Sequence, residues 1–146
     1  MKILKVLLKV VLVIVLAIAL LIAGYIIIAA CNRETVKSRI AQSDVAYVVI
    51  DETKTQISNE DLNALKTAFS DVSGGGIGDG EPICGFDESY AVEFVDTQKG
   101  KRIIVCPAMD KCPLFKVNEV LYGFSKKARE DFEATVKKYG LTFPNI

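Results

Sequence analysis

The residues best equipped for chemistry are four cysteines, Cys31, Cys84, Cys106 and Cys112, in a chain that contains no histidine. The second fact limits the first. Without His there is no Ser-His or Cys-His nucleophile pair, no imidazole general base and no imidazole metal ligand. A thiol oxidoreductase normally carries C-x-x-C, where one sulfur lies close enough to lower the pKa of the other. Here the shortest spacing is C-x5-C, from Cys106 to Cys112. In an oxidising compartment that spacing suggests a disulfide closing the loop, worth about 2 kcal/mol by the chain-entropy relation. Cys84 paired with either of the other two is the alternative, and every pairing leaves one thiol over. Zinc would need a fourth ligand such as Asp110 or Asp87, and C-x5-C without His departs from structural zinc spacing, so neither a metal nor a cofactor is expected.

Two other groups invite a chemical reading. Asp87, Glu88, Glu93 and Asp96 surround an expected hairpin and could pair across a cleft, although charges beside hairpins ordinarily serve solubility. The run Gly74-Gly75-Gly76-Ile77-Gly78-Asp79-Gly80 offers bare N–H groups to an anion. It fits neither G-x-G-x-x-G nor G-x-x-x-x-G-K-[ST], follows an expected helix and contains no Lys. A flexible loop from Ser73 to Gly80 is the expectation.

The chain leading to these residues starts with an apolar leader. Val10 to Ala30 are 21 consecutive uncharged residues, about 30 Å as a helix, which matches a bilayer core and exceeds the apolar region of a simple cleaved signal. Lys2, Lys5 and Lys9 precede the span, and Arg33, Lys37 and Arg39 follow it. The charge bias is therefore slight, and a short amino end followed by a cysteine-containing domain favours the domain outside the cytoplasm. Ile28-Ala29-Ala30-Cys31 also resembles the bacterial lipobox, which would make Cys31 a lipidated mature N-terminus. Residues 1–31 are thus read as a transmembrane anchor or lipoprotein signal, 32–44 as a polar stalk or helical continuation, and 45–146 as one folded domain. Beyond the leader 15 basic residues face 18 acidic ones, and that weakly acidic balance argues against a nucleic-acid partner.

Inside the domain, Val45 to Ile50 reads as a strand buried on both faces. Ser58 caps a helix from about 59 to 70, with Leu62, Leu65, Ala68 and Phe69 on one side. Tyr90–Phe94 with Arg102–Cys106, and Leu114–Val117 with Val120–Phe124, read as two hairpins. Ser125 caps a last helix with the stripe Ala128, Phe132, Val136 and Tyr139, and Gly140 stops it. Its pairs Lys126/Glu130, Lys127/Asp131, Arg129/Glu133 and Glu133/Lys137 read as a solvated face. This order implies an α+β fold, a small antiparallel or mixed sheet with both helices on one side.

Cys84-Gly85-Phe86, the Tyr90–Phe94 strand, Cys106-Pro107-Ala108, Asp110, Cys112-Pro113, and Lys138-Tyr139-Gly140 with Phe143-Pro144 together resemble small extracytoplasmic domains, without assigned activity, on membrane-anchored proteins of Gram-positive bacteria. The resemblance covers about residues 45–146 and implies location and disulfides. Such domains tend to end in Phe-Pro-Cys, whereas Phe143-Pro144-Asn145 stands here, so the resemblance implies that a missing terminal Cys was one partner.

The expected function is a membrane-anchored extracytoplasmic binding or accessory module that meets an extracytoplasmic protein or ligand through the loop residues Met109, Asp110 and Lys111. The competing expectations are an extracytoplasmic enzyme or redox protein using a cysteine or carboxylates, and a subunit of a membrane complex assembled through its span, where Ala19 and Ala23 allow a close helix contact.

Overall fold

The structure, a computed structural model, describes residues 2–77, 84–110 and 112–143, so Gly78–Gly80 of the glycine run, Lys111, Pro144 and Asn145 lie outside the described residues. One long helix, α1 (Lys2–Gln42), leads into strands β1 (Val45–Ile50) and β2 (Thr53–Gln56), helix α2 (Asn59–Ser70), and strands β3 (Val72–Ile77), β4 (Tyr90–Asp96), β5 (Lys101–Pro107), β6 (Leu114–Val117) and β7 (Val120–Phe124), before α3 (Lys126–Lys137). The strands form one antiparallel sheet in the order β2-β1-β4-β5-β6-β7-β3. The fold is α+β, as the order of patterns implied.

Local chemistry explains most of the elements. Ser58 and Ser125 each accept a backbone N–H, from Asp61 and Ala128, and so start α2 and α3. Gly140 takes φ +89° just past α3, a conformation that glycine adopts without a Cβ penalty. Asp51 and Glu52, both at positive φ, turn β1 directly into β2. The sequence pattern shows no sign of β2, because Thr53-Lys54-Thr55-Gln56 is exposed throughout and has no apolar alternation.

All three helices pack on one face of the sheet. Phe69 of α2 is the hub, with ring centroids 5.4 Å from Phe94, 5.2 Å from Phe115, 5.1 Å from Phe124 and 5.7 Å from Phe132. Edge-on and tilted contacts of this kind add to the stabilisation from burial alone. On the opposite face no helix lies among the described residues, which corrects the expectation for β1. Ala46 and Val48 are buried beneath the helices, while Tyr47 and Val49 are only half-buried. β1 has one fully covered face, not two.

The polar segment after the apolar leader does not stand away from the domain. It is the continuation of α1, and Val36 and Ile40 belong to the same core as Phe69. By contrast, the large apolar side chains from Leu7 to Ile28 are half or more exposed. A helical stretch this long and apolar, with nothing packed on it among the described residues, fits a membrane anchor or signal.

The glycine run differs most from expectation. Val72–Ile77 is a strand, paired with β7 from Val72↔Phe124 to Ile77↔Val120 with a bulge between Gly74 and Ile77. At Gly75 the missing side chain serves packing against α1. A Cβ on Gly75 (φ +103°) would lie 2.4 Å from the Ala29 carbonyl oxygen and 3.2 Å from the Arg33 nitrogen, so the backbone of α1 rests directly on this strand. Asn32 Nδ2 donates to the Gly75 carbonyl at 3.1 Å, satisfying one group of an otherwise unpaired edge strand.

Gly75→Ala should therefore lower stability by about 2 kcal/mol, through left-handed strain together with displacement of α1. Thermal unfolding of the full chain followed by circular dichroism checks this. Gly85→Ala is the control, since a Cβ there meets nothing within 4 Å.

Candidate functional site

The candidate site forms where β5 runs past its paired length. Ala108 bridges to Phe86, Met109 N–H donates to the Gly85 carbonyl at 2.7 Å, and Ala108 N–H donates to the Leu114 carbonyl at 2.9 Å. Residues 84–86 therefore lie alongside 108–110 as a short ladder, which brings Cys84 next to Cys112. These two cysteines form the disulfide, with their Cα atoms 5.8 Å apart. The Cys106–Cys112 loop closure suggested by spacing gives way to one of its alternatives, for a geometric reason. Cys106 is locked into β5 opposite Lys116, and Cys84, entering antiparallel through the Phe86–Ala108 bridge, arrives four residues further along at Asp110–Cys112.

Two more side chains clamp the junction. Asp110 accepts the Gly85 N–H through Oδ2 and the Cys112 N–H through Oδ1, each at 2.9 Å. The Gly85 N–H first, then the Cys112 N–H, hold its carboxyl below the usual carboxylate range. Arg129 reaches in from α3, and Nη2 donates to the carbonyls of Ala108 at 2.9 Å and Asp110 at 3.2 Å. Its Nε bonds to Glu133, and its guanidinium lies 4.5 Å from the Phe143 ring centroid. Arg129 is only 6% exposed, so the expected solvated face of α3 is corrected here. Of the four expected i,i+4 pairs, Arg129–Glu133 alone reaches ion-pair distance among the described residues.

The clamped ladder forms one wall of a half-open cleft of about 510 Å³, lined by Ile50, Gly85, Phe86, Asp87, Tyr90, Met109, Gly140 and Thr142. Ile50 and Tyr90 face each other across β1 and β4, and Gly140 and Thr142 arrive from the chain after α3. Asp87 Oδ1 accepts the Ser89 N–H at 2.9 Å, and the Asp87 carbonyl accepts the Tyr90 N–H at 3.1 Å. That turn aims residues 86–90 along the cleft. The volume lies in the range of small-molecule sites, and the lining is mainly apolar with a few polar groups, as such sites usually are.

The expected site residues separate. Met109 lines the cleft and packs on the core, the Asp110 carboxylate is spent on two backbone N–H groups, and Lys111 lies outside the described residues. Cys106 is a free, half-buried thiol, pushed up by burial first and by Glu88 second. Cys31 is exposed on α1. The four acidic residues weighed as a catalytic set do not converge. Asp87 faces the cleft, whereas Glu93 is buried on the outer face of β4 with ion-pair partners Lys54 and Arg102. Asp96 accepts the Lys99 N–H at 3.0 Å in the β4–β5 turn.

Cys84, Asp110 and Cys112 place their ligand atoms within 4.8 Å of one another. Joined as a disulfide, the two sulfurs have no thiolate to give a metal. Arg129 and the Gly140–Thr142 wall escaped the sequence reading, and the one available signal was the i,i+4 Arg129/Glu133 pair. Comparison with known protein families, curated proteins and solved structures found no match to this chain.

The disulfide closes a separation of 28 residues, so Cys84→Ser or reduction should remove about 3–4 kcal/mol, seen as a lower denaturation midpoint. Asp110 supplies a pH test. Its depressed carboxyl stabilises the fold fully above the unfolded pKa of about 3.9 and loses that contribution as pH falls through the lower folded value. Asp110→Asn should be less stable than the natural chain at pH 7, with the gap narrowing below about pH 4. Unfolding curves of both proteins from pH 7 to pH 2 check it.

Proposed function

We propose that this chain is a single-pass membrane protein of a bacterium, retained through α1, which presents a small ligand-binding module outside the cytoplasm. The observation that carries the reading is the continuity of α1, which runs unbroken from its exposed apolar length into the domain core at Val36 and Ile40. The helix that suits the bilayer is also part of the folded module. The cleft, one wall of which is a backbone ladder pinned from behind by a disulfide and a buried arginine, supports binding as the activity. Rigid walls lower the ordering cost that a ligand would otherwise meet.

The disulfide supports an oxidising location, outside the cytoplasm. The lipoprotein reading of Cys31 is disfavoured by packing. Cleavage before Cys31 would remove Ala29, whose carbonyl rests against Gly75, and would cut α1 within the stretch that covers β3. A thiol mechanism is also poorly supported, because Cys106 is shifted toward its protonated form and the other two ectodomain sulfurs are bonded to each other.

Intact-mass measurement of the chain extracted from membranes should give a protein that retains residues 1–30, and Cys31→Ser should remain in the membrane fraction. A mature chain beginning at a diacylated Cys31 would replace the retained helix with a lipid anchor.

A further inference from the structure

The cleft carries a charge bias that its apolar lining conceals. Its floor and walls present Ile50, Phe86, Tyr90 and Met109, and Asp87 is the one carboxylate in the lining among the described residues. One oxygen of Asp87 is taken by the Ser89 N–H, and Oδ2 has no hydrogen-bond partner among the described residues. At the same end of the sheet, the Asp51 N–H donates to the Ser89 carbonyl at 3.0 Å, so the β1–β2 turn adjoins the Asp87–Ser89 turn. Asp51, Glu52, Asp87 and Glu88 are all exposed there.

None of the described bases lines the cleft. Lys116 Nζ lies 5.5 Å from the Phe86 ring centroid and shares the surroundings of Cys106 with Glu88, and Lys138 Nζ is held by Asp61 Oδ1 at 2.6 Å. Lys54 is paired with Glu93 on the outer face of the sheet, and Arg129 is buried behind Ala108 and Asp110.

We propose that the cleft takes an organic cation, an ammonium or guanidinium group on an apolar stem. The stem lies along Ile50, Phe86 and Met109, and the charge meets Asp87 beside Tyr90 at the acidic mouth. An apolar slot would accept any apolar stem, but the surrounding carboxylates repel an anion and favour a cation over its neutral isostere. Tyr90 and Asp87 offer a cation both a ring and a counter-charge, away from the Phe86 ring that Lys116 already meets. This inference rests on the reading of the cleft as a ligand site. The same chemistry is found in a free amine and in a Lys or Arg side chain of a peptide.

The test uses the full chain in uncharged maltoside micelles, with 13C-methyl methionine. The chain has two methionines, Met1 and Met109, so the cleft contributes one assignable methyl signal. Five probes are titrated: phenethylammonium, its neutral isostere 2-phenylethanol, the anion 3-phenylpropanoate, a capped Ala-Lys-Phe-Ala peptide and the Nε-acetylated form of that peptide. A cation should shift the Met109 signal at a concentration at least about threefold below its neutral or anionic counterpart. Asp87→Asn, which keeps the acceptor for Ser89, should abolish that preference. Asp51→Asn, away from the lining, should reduce it without abolishing it, and both variants are checked for unchanged melting.

A shift by phenethylammonium identifies a free amine, and a shift by the lysine peptide alone identifies a peptide side chain. Both outcomes support the inference. Equal shifts from 2-phenylethanol and phenethylammonium would overturn the preference for a cation and leave the cleft as a ligand site. No shift from any probe would overturn both.

Discussion

The contact on which the arrangement depends is the one between the backbone of α1 and the bare backbone of β3. Ala29 and Arg33 lie so close to Gly75 that no side chain fits between them. That closeness allows α1 to cover an edge strand, which would otherwise expose unpaired N–H and C=O groups. It also sets the helix axis, so that Val36 and Ile40, two turns further on, enter the core beside Phe69. The apolar stretch and the domain therefore share one continuous helix instead of being joined by a loop.

The second constraint lies where residues 84–86 run alongside 108–110. The Cys84–Cys112 bond, the Asp110 carboxylate and the Arg129 guanidinium all act on the same pair of segments, 84–86 and 108–112. Each contribution differs in kind: one limits the unfolded chain, one satisfies backbone donors, and one satisfies backbone acceptors from a third element. Their redundancy explains why a wall built from irregular chain can border a cleft. It also explains why Asp110, a conspicuous acid in sequence, has no carboxylate oxygen left over for a partner.

Charge follows the same division between structure and surface. Asp61, Glu93, Asp96 and Arg129 are the buried charged residues among the described residues, and each has an oppositely charged partner within ion-pair distance. Burial of such groups is tolerated only with partners in place. The carboxylates at the mouth of the cleft, Asp51, Glu52, Asp87 and Glu88, are exposed instead, where water supports their charge.

What the sequence determined by itself was local. Apolar length marked the helix suited to a membrane, serines marked the starts of α2 and α3, and alternation marked two hairpins, because caps and periodicities involve residues close together in the chain. The α+β class followed from their order. Tertiary structure decided the rest. The glycine run reads as a loop until α1, some forty residues earlier, presses on Gly75 and makes the missing Cβ a requirement of packing. Arg129 reads as a surface residue until the 108–110 carbonyls arrive above it. Cysteine pairing and the cleft likewise depend on which strands become neighbours, a long-range outcome of sheet order that spacing along the chain does not contain.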